Sequence, residues 1–410
     1  MTVPNRRVFL QSSAVAGAVA FGVPAVNVLG ANEKLNIGLI GTGGRGRSLM
    51  REALKQGQNI VALCDIADFR LEQGVADVEK TGAAKPVLYK DHRKLLEHKG
   101  LDAVIIATPD HHHHDILLDA MLAEKDTYIE KPLSHTIEQG RSMVAAVRKT
   151  KCIVQVGNQR HSGEHWQRAK DAIQSKDFGD LVWVKVWDCR NWVKRDPFAP
   201  PSTFSYDASK LDWKAFLGKA PKRDFDPNRY FAWRWYWDYA GGLLTDIGAH
   251  QLDIVQWLSG EEKGPRSVVA NGGVYHFKHW ETPDVVHGVW DYGKFAATFA
   301  VEFINGYDGV GATFYGTKRT LWADADKEVR VYDTIDKPLD TQKPIDSWKV
   351  EYEGPAHMKN WLECCTSRKQ PNSTIELGHR VITAAHLANI AYRTGQKVVW
   401  DPEKEVIVKG

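Results

Sequence analysis

Asp246 and His250 stand four apart in Gly241-Gly242-Leu243-Leu244-Thr245-Asp246-Ile247-Gly248-Ala249-His250. On a helix that spacing puts both side chains on one face. A carboxylate beside an imidazole orients the ring and stabilises its cation, which suits general-base work. A structural hydrogen-bonded pair is the plain alternative. Lys131 is the third candidate, in Tyr128-Ile129-Glu130-Lys131-Pro132. Pro132 fixes its own φ and biases Lys131 toward an extended conformation. A lysine held that way at a strand end lies where open α/β sheets bind ligands. Its ammonium would stabilise negative charge developing on a reacting oxygen. An ordinary surface lysine is the alternative there.

The elements that must position these groups begin with a nucleotide-binding half. Leu35 to Ile40 reads as a short buried strand, followed directly by Gly41-Thr42-Gly43-Gly44-Arg45-Gly46 and a helix through Lys55. This is G-x-G-x-x-G at a strand end. Gly41 permits the tight turn, Gly43 lets the backbone approach a pyrophosphate, and Gly46 allows close packing of helix on strand. The helix N-terminus offers free N–H groups to phosphate. A second strand, Asn59 to Cys64, ends at Asp65, placed to accept hydrogen bonds from both adenosine ribose hydroxyls. That acid would repel a 2′-phosphate, so the pattern favours NAD over NADP. Asp102 to Pro109 is another continuous apolar strand, as a parallel sheet buried on both faces requires. It runs into His111, His112, His113 and His114, which are expected as a loop over the cofactor that opens the next helix. Four consecutive residues cannot all point at one ion, so no metal site is expected.

The glycine turn, Thr108-Pro109, Glu130-Lys131-Pro132, the Gly-Gly-x-x-x-Asp-x-Gly-x-His segment and His386-Leu387-Ala388-Asn389-Ile390-Ala391 recur here in order. Together they resemble the glucose–fructose oxidoreductase/inositol dehydrogenase/rhizopine-catabolism family, Gfo/Idh/MocA, over about residues 34 to 402. The resemblance implies an α/β protein. An N-terminal Rossmann domain (32–157) would precede a C-terminal α+β domain (158–410) with a large, mostly antiparallel open sheet. It implies that Lys131 contacts the reacting hydroxyl, and that Asp246 and His250 line the substrate pocket beside the nicotinamide. Gly41, Gly43, Arg45, Gly46, Asp65, Thr108, Pro109, His114, Glu130 and Lys131 would form the cofactor side. Trp192, Tyr275, His276 and His357 are pocket members by family position alone. The family often forms dimers or tetramers through its open sheet, so a homo-oligomer is expected.

From Val154 onward the pattern changes. Leu181 to Trp187, Val268 to Phe277, Val285 to Tyr292 and Phe295 to Phe303 alternate in polarity, the mark of an antiparallel sheet with one covered face. Thr374 to Tyr392 reads as an amphipathic helix closed by Gly395. Tyr230 to Tyr239 contains seven aromatics in ten residues. Aromatic faces stack on the apolar faces of sugars while Arg and Asp bond hydroxyls. Trp233, Arg234 and Trp235 are therefore candidate substrate contacts, although such rings equally pin a long loop to the body. Asn158, Gln159 and Arg160, just after a strand, are further candidates.

Asn5-Arg6-Arg7-Val8-Phe9-Leu10 precedes an apolar run rich in Ala and Gly, which resembles a twin-arginine export signal over residues 1–31. That segment sets the expected location outside the cytoplasm, with membrane contact only during export. The chain has 410 residues, 43% of them hydrophobic, and 54 Lys and Arg against 51 Asp and Glu. A formal charge of +3 gives no electrostatic case for nucleic acid. The expected activity is hydride transfer between a carbohydrate or cyclitol hydroxyl and tightly held NAD, with Lys131 on the oxygen and His250 taking the proton while Asp246 orients its ring. NAD-dependent glycoside cleavage through transient sugar oxidation is an alternative. A non-catalytic sugar binder that retains NAD is another.

Overall fold

Continuous apolar runs alternate with helices through the first half: β1 (Asn36–Ile40), α1 (Gly44–Lys55), β2 (Asn59–Cys64), α2 (Asp68–Glu79), β3 (Val87–Tyr89), α3 (His92–Leu96), β4 (Ala103–Ile106), α4 (Asp110–Leu122), β5 (Asp126–Ile129), α5 (Ile137–Val147) and β6 (Val154–Val156). The strands form one parallel sheet in the order β3-β2-β1-β4-β5-β6. All four residues of β4 are buried, which only a sheet covered on both faces allows. The computed structural model describes residues 34–200, 204–333, 338 and 341–408; the expected export signal lies outside them.

The second half contains α6 (Glu164–Gln174), β7 (Leu181–Cys189), α7 (Trp213–Leu217), α8 (Pro227–Phe231), α9 (Gly242–Asp246), α10 (Gly248–Ser259), β8 (Ser267–Gly273), β9 (Val285–Asp291), β10 (Ala296–Glu302) and β11 (Val310–Gly316). It continues with β12 (Thr320–Asp324), β13 (Glu328–Tyr332), β14 (Asp346–Lys349), α11 (Gly354–Ser367), α12 (Ile375–Thr394), β15 (Val398–Asp401) and β16 (Val406–Val408). Its ten-stranded sheet runs β14-β13-β12-β11-β7-β10-β9-β8-β15-β16. Pairing is antiparallel except between β7 and β10, where Trp183 faces Ala296 in parallel register. Along β10, Ala297, Phe299 and Val301 point into the core and alternate with half-exposed neighbours, as a sheet covered on one face demands. The long helix α12 closes that core, and Trp290 of β9 donates its indole N–H to the Ala384 carbonyl. Thr374 caps α12 through the Leu377 N–H, and Gly395 ends it in the left-handed conformation at φ +66°.

Two local expectations change. A single helix through Asp246 and His250 is replaced by two, because α9 ends at Asp246 and α10 begins at Gly248. The four histidines, expected as a loop that opens the next helix, lie within that helix: they fall in the first turns of α4, which starts at Asp110. No helix of the described residues is long and apolar enough to cross a membrane.

Candidate active site

At the C-terminal end of β1, Gly41 takes φ +90°, and a Cβ there would lie 2.6 Å from the Ala107 carbonyl oxygen. Gly46 is tighter still: an added Cβ would sit 2.0 Å from the Gly41 oxygen. Gly43, in contrast, has nothing within 4 Å of its Cβ position. The turn is thus packed hard against the sheet on one side and open on the other. Beside it, the Thr108 hydroxyl is buried without a hydrogen-bond partner among the described residues. An open face, a helix N-terminus and an orphaned hydroxyl fit a dinucleotide's phosphates and ribose.

Asp65 follows β2, but most of its acceptor capacity is already in use. Its Oδ2 accepts from the Thr42 N–H at 2.8 Å and the Thr42 hydroxyl at 3.0 Å, and its Oδ1 accepts from the Ala67 N–H at 3.0 Å. Of about four acceptor sites on a carboxylate, roughly one remains, so it cannot serve both ribose hydroxyls in this arrangement. Burial pushes its carboxyl pKa up. Arg45 and Glu130, both expected at the cofactor, bind each other, with Arg45 Nε 2.8 Å from Glu130 Oε1. Glu130 also accepts from Gln159 Nε2 at 3.2 Å and from the Lys131 N–H at 3.2 Å. The His114 ring contacts Asp115 and the Ser142 hydroxyl, bracing α4 against α5.

Lys131 and Asp246, from the two halves, meet. Lys131 Nζ donates to Asp246 Oδ1 at 3.0 Å and to the Asp246 carbonyl at 2.8 Å, and both side chains are largely buried. Arg234 Nε lies 3.3 Å from the same Oδ1. Burial alone would raise the Asp246 pKa, but Lys131 and Arg234 hold it well below the usual carboxylate range. The expected orientation of the His250 ring by Asp246 is therefore corrected. The Asp246 carboxylate is committed to the lysine and the arginine, and it acts on His250 through its charge. His250 lies within the field of these groups. Burial, with the charges of Lys131 and Arg160, lowers its pKa well below the ordinary value, so the imidazole is neutral and able to accept a proton.

Two segments match descriptions of known families: residues 35–158 match the "Oxidoreductase family, NAD-binding Rossmann fold" and residues 219–322 the "GFO/IDH/MocA C-terminal domain". Together they cover more than half of the chain. The chain belongs to the Gfo/Idh/MocA family. It is 25% identical over 242 residues to myo-inositol 2-dehydrogenase of Thermotoga maritima, covering 58% of this chain and 59% of that protein. A glycosyl hydrolase family 109 protein of Stenotrophomonas maltophilia is 35% identical over 130 residues, covering 30% of this chain and 28% of the relative. Among solved structures, levoglucosan dehydrogenase in complex with NADH and levoglucosan superposes with a TM-score of 0.69 at 18% identity. That alignment covers 90% of this chain and 99% of the other, and shows a shared fold.

Within this Gfo/Idh/MocA chain, several expected substrate contacts are used internally. Asn158 is buried, with its amide N–H on the Ala249 carbonyl at 3.1 Å. Arg160 donates to the His250 carbonyl at 3.0 Å. Both fix the first turn of α10, and through it the histidine. Trp235 is fully buried and stacks on Trp280 at 4.0 Å, so it belongs to the core. Trp233 and Phe198 instead flank the Arg234 guanidinium at 4.2 and 4.3 Å and fix its approach to Asp246. His357 is fully buried between the Val156 carbonyl and the Ser162 hydroxyl, and joins the two halves structurally. The histidine run holds no metal cluster among the described residues. Its members diverge, with His111 and His112 donating to the Phe216 carbonyl and His113 lying between the Pro132 and Thr108 carbonyls.

Two charged groups at the site escaped the sequence reading. Asp110 is 2% exposed, and its Oδ1 lacks a hydrogen-bond partner among the described residues. Burial and the neighbouring Asp246 raise its pKa strongly, while the charges of Arg234 and Lys131 oppose that shift. Arg190 binds Asp188 through both ends of its fork, at 2.6 and 2.9 Å, and its charge reaches Asp246 and His250. Asp110 directly follows Thr108-Pro109 and was overshadowed by the histidines after it. Arg190 sits just beyond a strand whose pairing alone could reveal its direction.

Proposed function

We propose that this protein is an NAD-dependent oxidoreductase acting on a hydroxyl of a carbohydrate or cyclitol. The observation that carries this reading is the anchored Lys131 ammonium, 3.0 Å from Asp246 Oδ1, in the electrostatic neighbourhood of a neutral imidazole at the outlet of a Rossmann sheet. Bound NAD supplies the hydride acceptor. Lys131 hydrogen-bonds the substrate oxygen and stabilises charge as its proton leaves. His250 accepts that proton, held in place by Arg160 and Asn158 through the backbone of α10. Asp246 and Arg234 aim the lysine. The inositol dehydrogenase among the relatives supports a polyhydroxylated substrate.

The test is a panel of sugars and cyclitols assayed for NADH absorbance. Lys131→Ala and His250→Ala should retain NAD and lose turnover, and unchanged activity in both removes the assignment. The family 109 relative supports a second reading, redox-neutral glycoside cleavage through a transient ketone that acidifies the neighbouring C–H. Assaying glycosides without added NAD separates the readings, with keto-sugar marking net oxidation and free sugar marking cleavage.

Two further aspects belong to this reading. Arg6 and Arg7 ahead of the apolar run support twin-arginine export, and retention of an Arg6→Lys/Arg7→Lys precursor in the cytoplasm would bear this out. The outer face of the large sheet carries exposed Trp183, Val269, Val289 and Val399, with Tyr315 stacked on Trp183 at 4.5 Å. Such a patch supports self-association. A monomer by light scattering would refute it.

A further inference from the structure

Between β7 and α9 the chain leaves the second half and crosses the nucleotide-binding half. It touches both lips of the glycine turn, the residues that follow β2 and those that follow β4. At the β2 lip, Leu211 pairs with Ala67 in an antiparallel bridge, and the Asp212 N–H donates to the Ile66 carbonyl at 3.1 Å, immediately after Asp65. Phe69, on the first turn of α2, meets Phe204 at 5.7 Å, Tyr206 at 5.5 Å, and Tyr230 and Phe231 each at 6.3 Å. At the β4 lip, the Phe216 carbonyl accepts from both His111 and His112, at 2.7 and 2.8 Å. Lys219 binds Asp115 of α4 at 2.7 Å. In the sheet, β1 lies between β2 and β4, so a segment tied to both neighbours spans the turn at the end of β1.

In a Rossmann sheet the acid after the second strand marks the adenosine end of the dinucleotide. We propose that residues 204–231 complete the adenosine half of the cofactor site and hold NAD captive through successive turnovers. This rests on the reading of the chain as an NAD-dependent enzyme and adds where, and how firmly, the cofactor is kept. Departure of the adenosine end requires the bridge to Ala67, the ring cluster on Phe69 and the two histidine bonds to yield together. Release is therefore gated by a cooperative opening of this segment. It also gives the paired histidines a task that metal binding does not supply.

The experiment loads the full chain with isotopically labelled NAD and measures label release after addition of excess unlabelled NAD. Melting temperature is followed alongside. The native chain should retain label through gel filtration. Phe204→Ala/Tyr206→Ala should release it about tenfold faster or more, since aromatic contacts act mainly on off-rates. Tyr206→Phe should restore slow release. Lys219→Ala removes only an exposed ion pair and should give a smaller increase, and it keeps the proposal testable if the double variant fails to fold. Rapid exchange by the native chain, or native-like release by the folded variants, overturns the proposal. A chain that binds no NAD at all overturns the oxidoreductase reading, and this one with it.

Discussion

Replacing Asp246 with Asn keeps its shape and one acceptor but removes the charge between Lys131 and Arg234. At 3.0 Å the Lys131–Asp246 attraction is about 5–6 kcal/mol for an effective dielectric constant near 20. Desolvation of two largely buried groups offsets much of that, leaving a coupling of about 2–3 kcal/mol. Asp246→Asn alone should cost about 3–5 kcal/mol, because it leaves two buried cations facing each other. Lys131→Met should cost less, since Asp246 keeps Arg234 at 3.3 Å. The double variant should be about 2–3 kcal/mol more stable than the sum of the single costs implies. Urea unfolding of all four proteins measures this cycle. Because the Asp246 pKa is depressed in the folded state, its contribution is present above the unfolded value of about 3.9. It is lost only as pH falls through the lower folded value, so the cycle belongs at neutral pH. Turnover gives a second readout. If the carboxylate aims the lysine, Asp246→Asn should lower kcat about a hundredfold, the scale of an ångström-sized misplacement. If it fixed the imidazole tautomer, about ten-thousandfold would be expected. A coupling below about 0.5 kcal/mol refutes the ion-pair argument.

His250→Ala should lower kcat by about a hundredfold to ten-thousandfold while leaving bound NAD unchanged by extraction and absorbance. Since the His250 pKa is depressed, the base stays neutral through neutral pH, and the acid limb of kcat/KM should fall below about pH 6.5; a limb above that value contradicts it. Gly43→Ala should leave the melting temperature of the NAD-free protein nearly unchanged but weaken NAD, because its Cβ enters only open space; Gly46→Ala should lower that melting temperature, because its Cβ meets backbone at 2.0 Å. Trp235→Ala should cost about 3–5 kcal/mol in urea unfolding as a core deletion. KM should change far less than stability in that variant.

The parallel sheet was legible because β1, β2 and β4 are short apolar runs, the first ending in a glycine turn that suits phosphate and the second in an acid that suits ribose. The helix α12 was equally plain, with Thr374 and Gly395 marking both ends. The use of Asp246 was not, because four-residue spacing says nothing of cations brought in from other parts of the chain. What commits the carboxylate is Lys131, 115 positions away. The aromatic segment was half legible. Composition announced seven rings but not that Trp235 would stack on Trp280 while Trp233 flanked Arg234. Asn158 and Arg160 lay where expected along the chain, yet their partners are carbonyls of a helix whose position depends on the whole second half.

Glu130 joins Arg45, one residue past the opening of α1, to Gln159 and to the N–H of Lys131, and a Cβ on Gly157 would lie 2.8 Å from its Oε1. A single carboxylate thus acts as the common joint between the glycine turn that opens α1 and the lysine that the proposed reaction places on the alcohol. Affinity at one end and aim at the other are geared together. Engineering that retunes either end of this chain must move this joint or replace it.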